Sequence, residues 1–167
     1  RDNDLFRTEL TVASADTDCD DTTEALAIET SGDCNDNVAS VYPGAPDATG
    51  DGVDSNCDGT EVCYLDADDD GYRPNATATV TSSDGDCADS GEALGTEPTT
   101  DCNDAVTAIR PGVAEVAGDE VDQNCDGAEL CFTDADNDGY RPNATATTGS
   151  SNLSCADSGE ALGTDPT

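Results

Sequence analysis

The residues of this sequence that could do chemistry are acids in a fixed spacing. Asp66, Asp68 and Asp70 precede Gly71 and Tyr72, and Asp134, Asp136 and Asp138 precede Gly139 and Tyr140. Carboxylates at positions 1, 3 and 5, Gly at 6 and a backbone carbonyl at 7 form the first half of an EF-hand-type loop. Alternate acids there converge on one hard cation while Gly permits the sharp turn. A second set reads D-x-N-x-D-G, with Asp54, Asn56 and Asp58 before Gly59, and Asp122, Asn124 and Asp126 before Gly127. Acids scattered at random do not recur four times in register, so the pattern points to calcium ligation. Position 12, where an EF-hand has a bidentate Glu, is Thr77 and Thr145 in the first set and Leu65 and Thr133 in the second. The loops are therefore not EF-hands, and their closing ligands come from elsewhere. For the first set the internal repetition suggests Asp89 and Asp157, or Glu92 and Glu160, which persist as Asp21 and Glu24 in the first copy. For the second, the nearest repeated oxygen-rich clusters are Asp33-Cys34-Asn35-Asp36 and Asp101-Cys102-Asn103-Asp104.

These loops are carried by a repeat of 68 residues. Every cysteine from Cys87 onward lies 68 residues after an earlier one, and 28 of 37 positions are identical between Cys63–Thr99 and Cys131–Thr167. The reading is a diverged or truncated first repeat at 1–62, a second at 63–130 and a partial third at 131–167. Terminal repeats are often atypical, so the first copy is a candidate cap. The nine cysteines lack C-x-x-C spacing and read as disulfides. One scheme pairs Cys34–Cys57, Cys63–Cys87, Cys102–Cys125 and Cys131–Cys155 and leaves Cys19 over. The rival pairs Cys19–Cys34, Cys57–Cys63, Cys87–Cys102 and Cys125–Cys131 and leaves Cys155. The first is preferred, because its longer loops each enclose one metal segment and closing such a loop is worth about 3 kcal/mol.

What must position the acids is not an ordinary core. Val, Ile, Leu and Phe supply 22 of 167 residues, against a net charge of −34, a balance that normally predicts disorder. Disulfides and bound cations are the available substitutes. The expected fold is a small disulfide-rich, metal-stabilised repeat in tandem array, mostly ordered loop with short β-strands and helical turns. Ala76–Val80 and Ala144–Thr147 alternate as brief strands do. Asn103–Ile109, with Asp101 or Asn103 as cap and Pro111-Gly112 as stop, suits a helical turn or two.

The absent residues exclude whole classes of function. There is no His and no Lys among the five basic residues, which removes the commonest general base, Schiff-base chemistry and His-ligated zinc. An enzyme is not expected. The charge repels polyanions, so nucleic acid is not an expected partner, and no apolar run approaches the length of a membrane span. The chain starts at Arg1 without Met or a signal-peptide pattern, which reads as a mature or partial segment of a longer product. Asn75, Asn143 and Asn152 begin N-x-[ST] sequons and are candidate glycosylation sites. Tyr72 and Tyr140 follow the loop Gly directly and are expected to pack over the loop.

Asp33–Gly59 and Asp101–Gly127, each opening on DCND, passing through PG and closing on NCDG, resemble the MopE-type metal-binding motif of long secreted bacterial proteins. With the preceding D-x-D-x-D-G-Y they are also similar to thrombospondin type-3 calcium repeats. The resemblance covers nearly all of both complete copies. It implies a secreted, extracellular or cell-surface bacterial protein. The motif takes its name from a surface protein associated with copper, yet a chain with no His and no Met offers soft metals few ligands. The expected role is an extracellular calcium-binding structural repeat, a rigid stalk or fibre unit that continues in the same polypeptide or associates head to tail. The alternative is a calcium-dependent adhesin binding a glycan or protein. A hydrolase with paired carboxylates lacks any apolar or aromatic pocket in the sequence.

Overall fold

Strand pairing in this chain is short and interrupted by long ordered loops, as its density of Gly, Asp and Pro requires. The computed structural model describes residues 5–8 and 30–167; Cys19, Asp21 and Glu24 lie outside them. The chain divides into two compact units, one made of Arg1–Leu65 with Thr77–Glu97 and the other of Asp66–Ala76 with Pro98–Thr167.

In the first unit, β1 (Phe6–Arg7) pairs parallel with β2 (Thr30–Ser31), and Phe6 stacks on Tyr42 at 5.1 Å between ring centroids. β3 (Glu61–Asp66) is the centre of a three-stranded sheet, between β4 (Thr79–Ser82) and β5 (Gly91–Ala93). β4 runs antiparallel to β3 with Cys63 opposite Val80. In the second unit the arrangement recurs, with β6 (Glu129–Asp134) between β7 (Thr147–Ser150) and β8 (Gly159–Ala161), both antiparallel to it.

The buried positions of the central strands are unusual in kind. In β3 they are Glu61, Cys63 and Asp66, and in β6 Glu129, Cys131 and Asp134. Each sheet is held by a sulfur bridge and an alanine where larger domains use aliphatic side chains: Cys63, Cys87 and Ala93 are buried in one, Cys131, Cys155 and Ala161 in the other. The disulfides are Cys34–Cys57, Cys63–Cys87, Cys102–Cys125 and Cys131–Cys155. These are the pairs of the first scheme above, and none of the rival's is formed among them.

Two local expectations shift. The strands expected at Ala76–Val80 and Ala144–Thr147 begin later, at Thr79 and Thr147, because the preceding residues stay in the sequon turn, where Asn143 Oδ1 accepts the N–H groups of Thr145 and Ala146. The helical turn expected at Asn103–Ile109 is not a helix. Asp101 Oδ1 takes the Asn103 N–H at 2.8 Å, and two successive turns follow, closed by Val106 N–H to Asn103 O and Ile109 N–H to Val106 O. A side chain that competes for backbone donors in this way favours turns over helix.

Candidate metal centre

All four acidic loops share one backbone. Position 4 is left-handed in each, at Cys57, Asp69, Cys125 and Asn137 (φ 56–59°), and position 6 is a Gly with φ of 83–85°. The position-1 acid locks the turn. Asp54, Asp66, Asp122 and Asp134 each accept the N–H groups of positions 5 and 6, the latter at 2.8–2.9 Å. The position-5 acid in turn accepts the N–H of position 7, at Thr60, Tyr72, Ala128 and Tyr140. Seven residues are thereby folded around one point by their own side chains.

Around the Asp66 loop the acids of a second segment close in. One oxygen from each of Asp66, Asp68 and Asp70 lies within 4.8 Å of the others, and so do oxygens of Asp68, Asp101 and Asp104. Twice a Ca–O distance of about 2.4 Å is the same span. The 101–110 segment is tied to the loop by Ala67 N–H to Asp104 Oδ1 at 2.8 Å, Thr107 Oγ1 to Asp68 O at 3.4 Å and Arg110 Nη1 to Asp70 O at 3.2 Å. Both oxygens of Asp68, with Asp70 Oδ2 and Asp101 Oδ2, are buried without a hydrogen-bond partner. Burial, then the nearby Asp70, Asp101, Asp66 and Asp104, hold the Asp68 carboxyl above its ordinary range. Burial likewise raises Asp70, against a lowering pull from the Tyr72 N–H and Arg110. Oxygens that repel one another and have surrendered water are what a hard cation would satisfy.

The Asp134 loop has the same three-carboxylate geometry but lies open. Asp136 and Asp138 are exposed where Asp68 and Asp70 are half-buried, and among the described residues no further acid is grouped with them. Tyr72 is half-buried and Tyr140 is 59 % exposed, so packing over the loop does not bury the second ring.

The D-x-N-x-D-G loops are arranged differently. Asn56 and Asn124 turn their Oδ1 onto the N–H of Asp58 and Asp126, and Asn56 Nδ2 donates to Asp47. Position 3 thus serves the loop's own framework. Asp58 is exposed, and its carboxyl is held low chiefly by the Thr60 hydroxyl and N–H. Asp33 and Asp101 accept the N–H of Asn35 and Asn103. The structure brings Asp101 and Asp104 to the Asp66 loop, and Asp101 also lies beside Cys125 of the 122–127 D-x-N-x-D-G loop. Asp89 is exposed and enters no ligand cluster among the described residues. Asp157 accepts from Asn152 Nδ2 at 2.9 Å, which also engages the atom a glycan would need, whereas Asn75 and Asn143 stand exposed. Asp101, Cys102 and Cys125 lie close together, but the two sulfurs are bonded in disulfides and provide no thiolate.

Two site residues escaped the sequence reading. Glu61 and Glu129 are 1 % and 2 % exposed, and burial, ahead of the neighbouring acids, raises both carboxyls. Their only local signal is an acid two residues after NCDG, in T-E and A-E.

Three segments, 7–25, 33–61 and 101–129, match the family described as "Putative metal-binding motif". The chain carries the Cu-binding_MopE motif. No curated protein and no solved structure matches the chain. Both MopE segments in the described region end on the buried glutamates, at 61 and 129. The family name refers to copper, and the donor set here does not suit it. No His or Met is present, and among the described residues the eight cysteines are in disulfides and the buried unpartnered side-chain atoms are carboxylate oxygens. That set fits a hard divalent cation.

Proposed function

We propose that this MopE-motif chain is an extracellular structural repeat ordered by Ca²⁺ and disulfides, a rigid stalk or fibre unit rather than an enzyme. The observation that carries the reading is the meeting of Asp66, Asp68 and Asp70 with Asp101 and Asp104, leaving four buried carboxylate oxygens without partners. Calcium takes six to eight oxygen ligands in flexible geometry, and one ion there ties two segments together. Against a net charge of −34, each ion also offsets two charges of self-repulsion. Disulfides and the lack, among the described residues, of a helix long and apolar enough to cross a membrane suit a secreted chain.

Copies identical at 28 of 37 positions between Cys63–Thr99 and Cys131–Thr167 imply similar junctions between repeats, and one junction applied repeatedly extends a filament. Calcium titration of the full chain, followed by calorimetry and by electron microscopy before and after chelation, tests the reading. Saturable binding with filaments or extended rods that collapse on chelation is expected. Absence of binding at millimolar calcium would overturn it.

A further inference from the structure

We propose that each complete MopE segment holds a second divalent cation, on the buried glutamate that ends it: Glu61 in one and Glu129 in the other. This rests on the calcium-binding reading above but concerns a different place in the fold. Glu61 and Glu129 are among the largest fully buried side chains of the protein. In each, Oε1 accepts one backbone N–H, from Gly50 at 3.2 Å and from Gly118 at 3.1 Å. In each, Oε2 is buried with no hydrogen-bond partner. The same arrangement thus stands twice, 68 residues apart.

What surrounds these oxygens is more acid. After burial, the acids Asp47, Asp51 and Asp54 raise the Glu61 carboxyl and Asp119 and Glu115 that of Glu129, although Asp51, Asp54 and Asp119 already accept hydrogen bonds from Val53, from Asp58 and Gly59, and from Gln123. Glu115 gives Oε1 to the Asn124 N–H at 2.9 Å, and its Oε2 is also buried and unpartnered. Asp47, its counterpart in the first segment, is fixed by Ser55 N–H and Asn56 Nδ2. The chain has neither Lys nor His to neutralise such a group. A buried carboxylate is tolerated when it is paired or coordinates a metal, and carboxylates with no basic partner select a hard cation. Ca²⁺ is favoured over Mg²⁺, which keeps several waters and needs room for them. The two sites are not identical, because Glu115 reaches one methylene further than Asp47.

The rival arrangement is a carboxyl–carboxylate pair in which Glu129 and Glu115 share a proton. Equilibrium dialysis of the full chain against Ca²⁺ alone, with bound metal counted by atomic absorption, separates the two. Glu61→Gln and Glu129→Gln are each expected to lower the stoichiometry by one ion and the double variant by two, with Asp68→Asn removing one more independently. If Asp68→Asn loses an ion while both glutamate variants bind as the parent chain does, the second site is overturned and the calcium reading stands. If the parent chain binds no Ca²⁺, both fall. Should Glu129→Gln not fold, Glu115→Gln, at a half-buried position, reads the same loss, and an unchanged count there overturns the proposal equally.

Discussion

Asp68 and Asp101 bring carboxylate oxygens to within 4.8 Å of each other, and each keeps at least one buried oxygen without a hydrogen-bond partner. At an effective dielectric near 20, two charges that close repel by about 3 kcal/mol. The contact is therefore unfavourable by itself and becomes favourable when a cation stands between the two segments.

Asp104 is the cleanest probe of that closure. Its Oδ1 also holds the Ala67 N–H, so Asp104→Asn retains an acceptor while removing a charge. We expect calcium affinity at the Asp66 loop to weaken roughly 10–100-fold, with the Asp134 loop unaffected. Calorimetric titration in which only one class of site weakens checks this.

Acid should act in opposite directions on the metal-free and calcium-loaded chains. The carboxyls of Asp68 and Asp70 are raised above 3.8, and those of Glu61 and Glu129 above 4.5. The metal-free folded state therefore binds protons more readily than the unfolded one. The resulting stabilisation is complete below those ordinary values and is lost as pH rises through the raised ones. In chelator the chain should melt lower as pH rises from those ordinary values through the raised ones. With saturating calcium the order should reverse, because protons then compete with the ion. Thermal melts across that rise, with and without calcium, read the sign.

The disulfides should open in two stages. Cys34 and Cys102 are exposed, whereas Cys63, Cys131 and Cys155 are at most 1 % exposed. Stepwise reduction with peptide mapping should release Cys34–Cys57 and Cys102–Cys125 before Cys63–Cys87 and Cys131–Cys155. Loss of either buried bridge, which closes 24 residues, should cost about 3 kcal/mol from chain entropy, with a further loss from packing.

Gly118 should tolerate alanine worse than Gly127. Both have positive φ, but a Cβ on Gly118 would run into the backbone of Gly163, while one on Gly127 meets nothing within 4 Å. Gly127→Ala should cost about 1–2 kcal/mol of left-handed strain. Gly118→Ala should cost more and also disturb the N–H given to Glu129. Denaturant midpoints of the two variants give the comparison.

The acidic loops were legible from the chain alone because their geometry is local. Asp66 folds Asp70 and Gly71 around itself through bonds spanning four and five residues, and such contacts are readable from spacing. Of the two repeated disulfide schemes, the one with the longer loops, of 23 and 24 residues, is the one formed. The central strands β3 and β6 were not seen, since Glu, Cys and Asp at the buried positions hide the alternation that normally marks a strand.

Tertiary structure alone decided which loop the DCND acids serve and where the glutamates go. Sequence neighbourhood places Asp101 and Asp104 with the D-x-N-x-D-G loop, and Asp101 does lie beside Cys125 of it, but the fold also carries both acids to Asp68, 33 to 36 positions away in the numbering. Glu61 and Glu129 look like solvated surface acids in the sequence and are buried because strand pairing turns alternate side chains inward, whatever their charge. Spacing encodes contacts within a turn. Contacts between segments, and the burial of one face of a strand, depend on how the backbone closes, and that closure is set by disulfides and sheet register rather than by any local pattern.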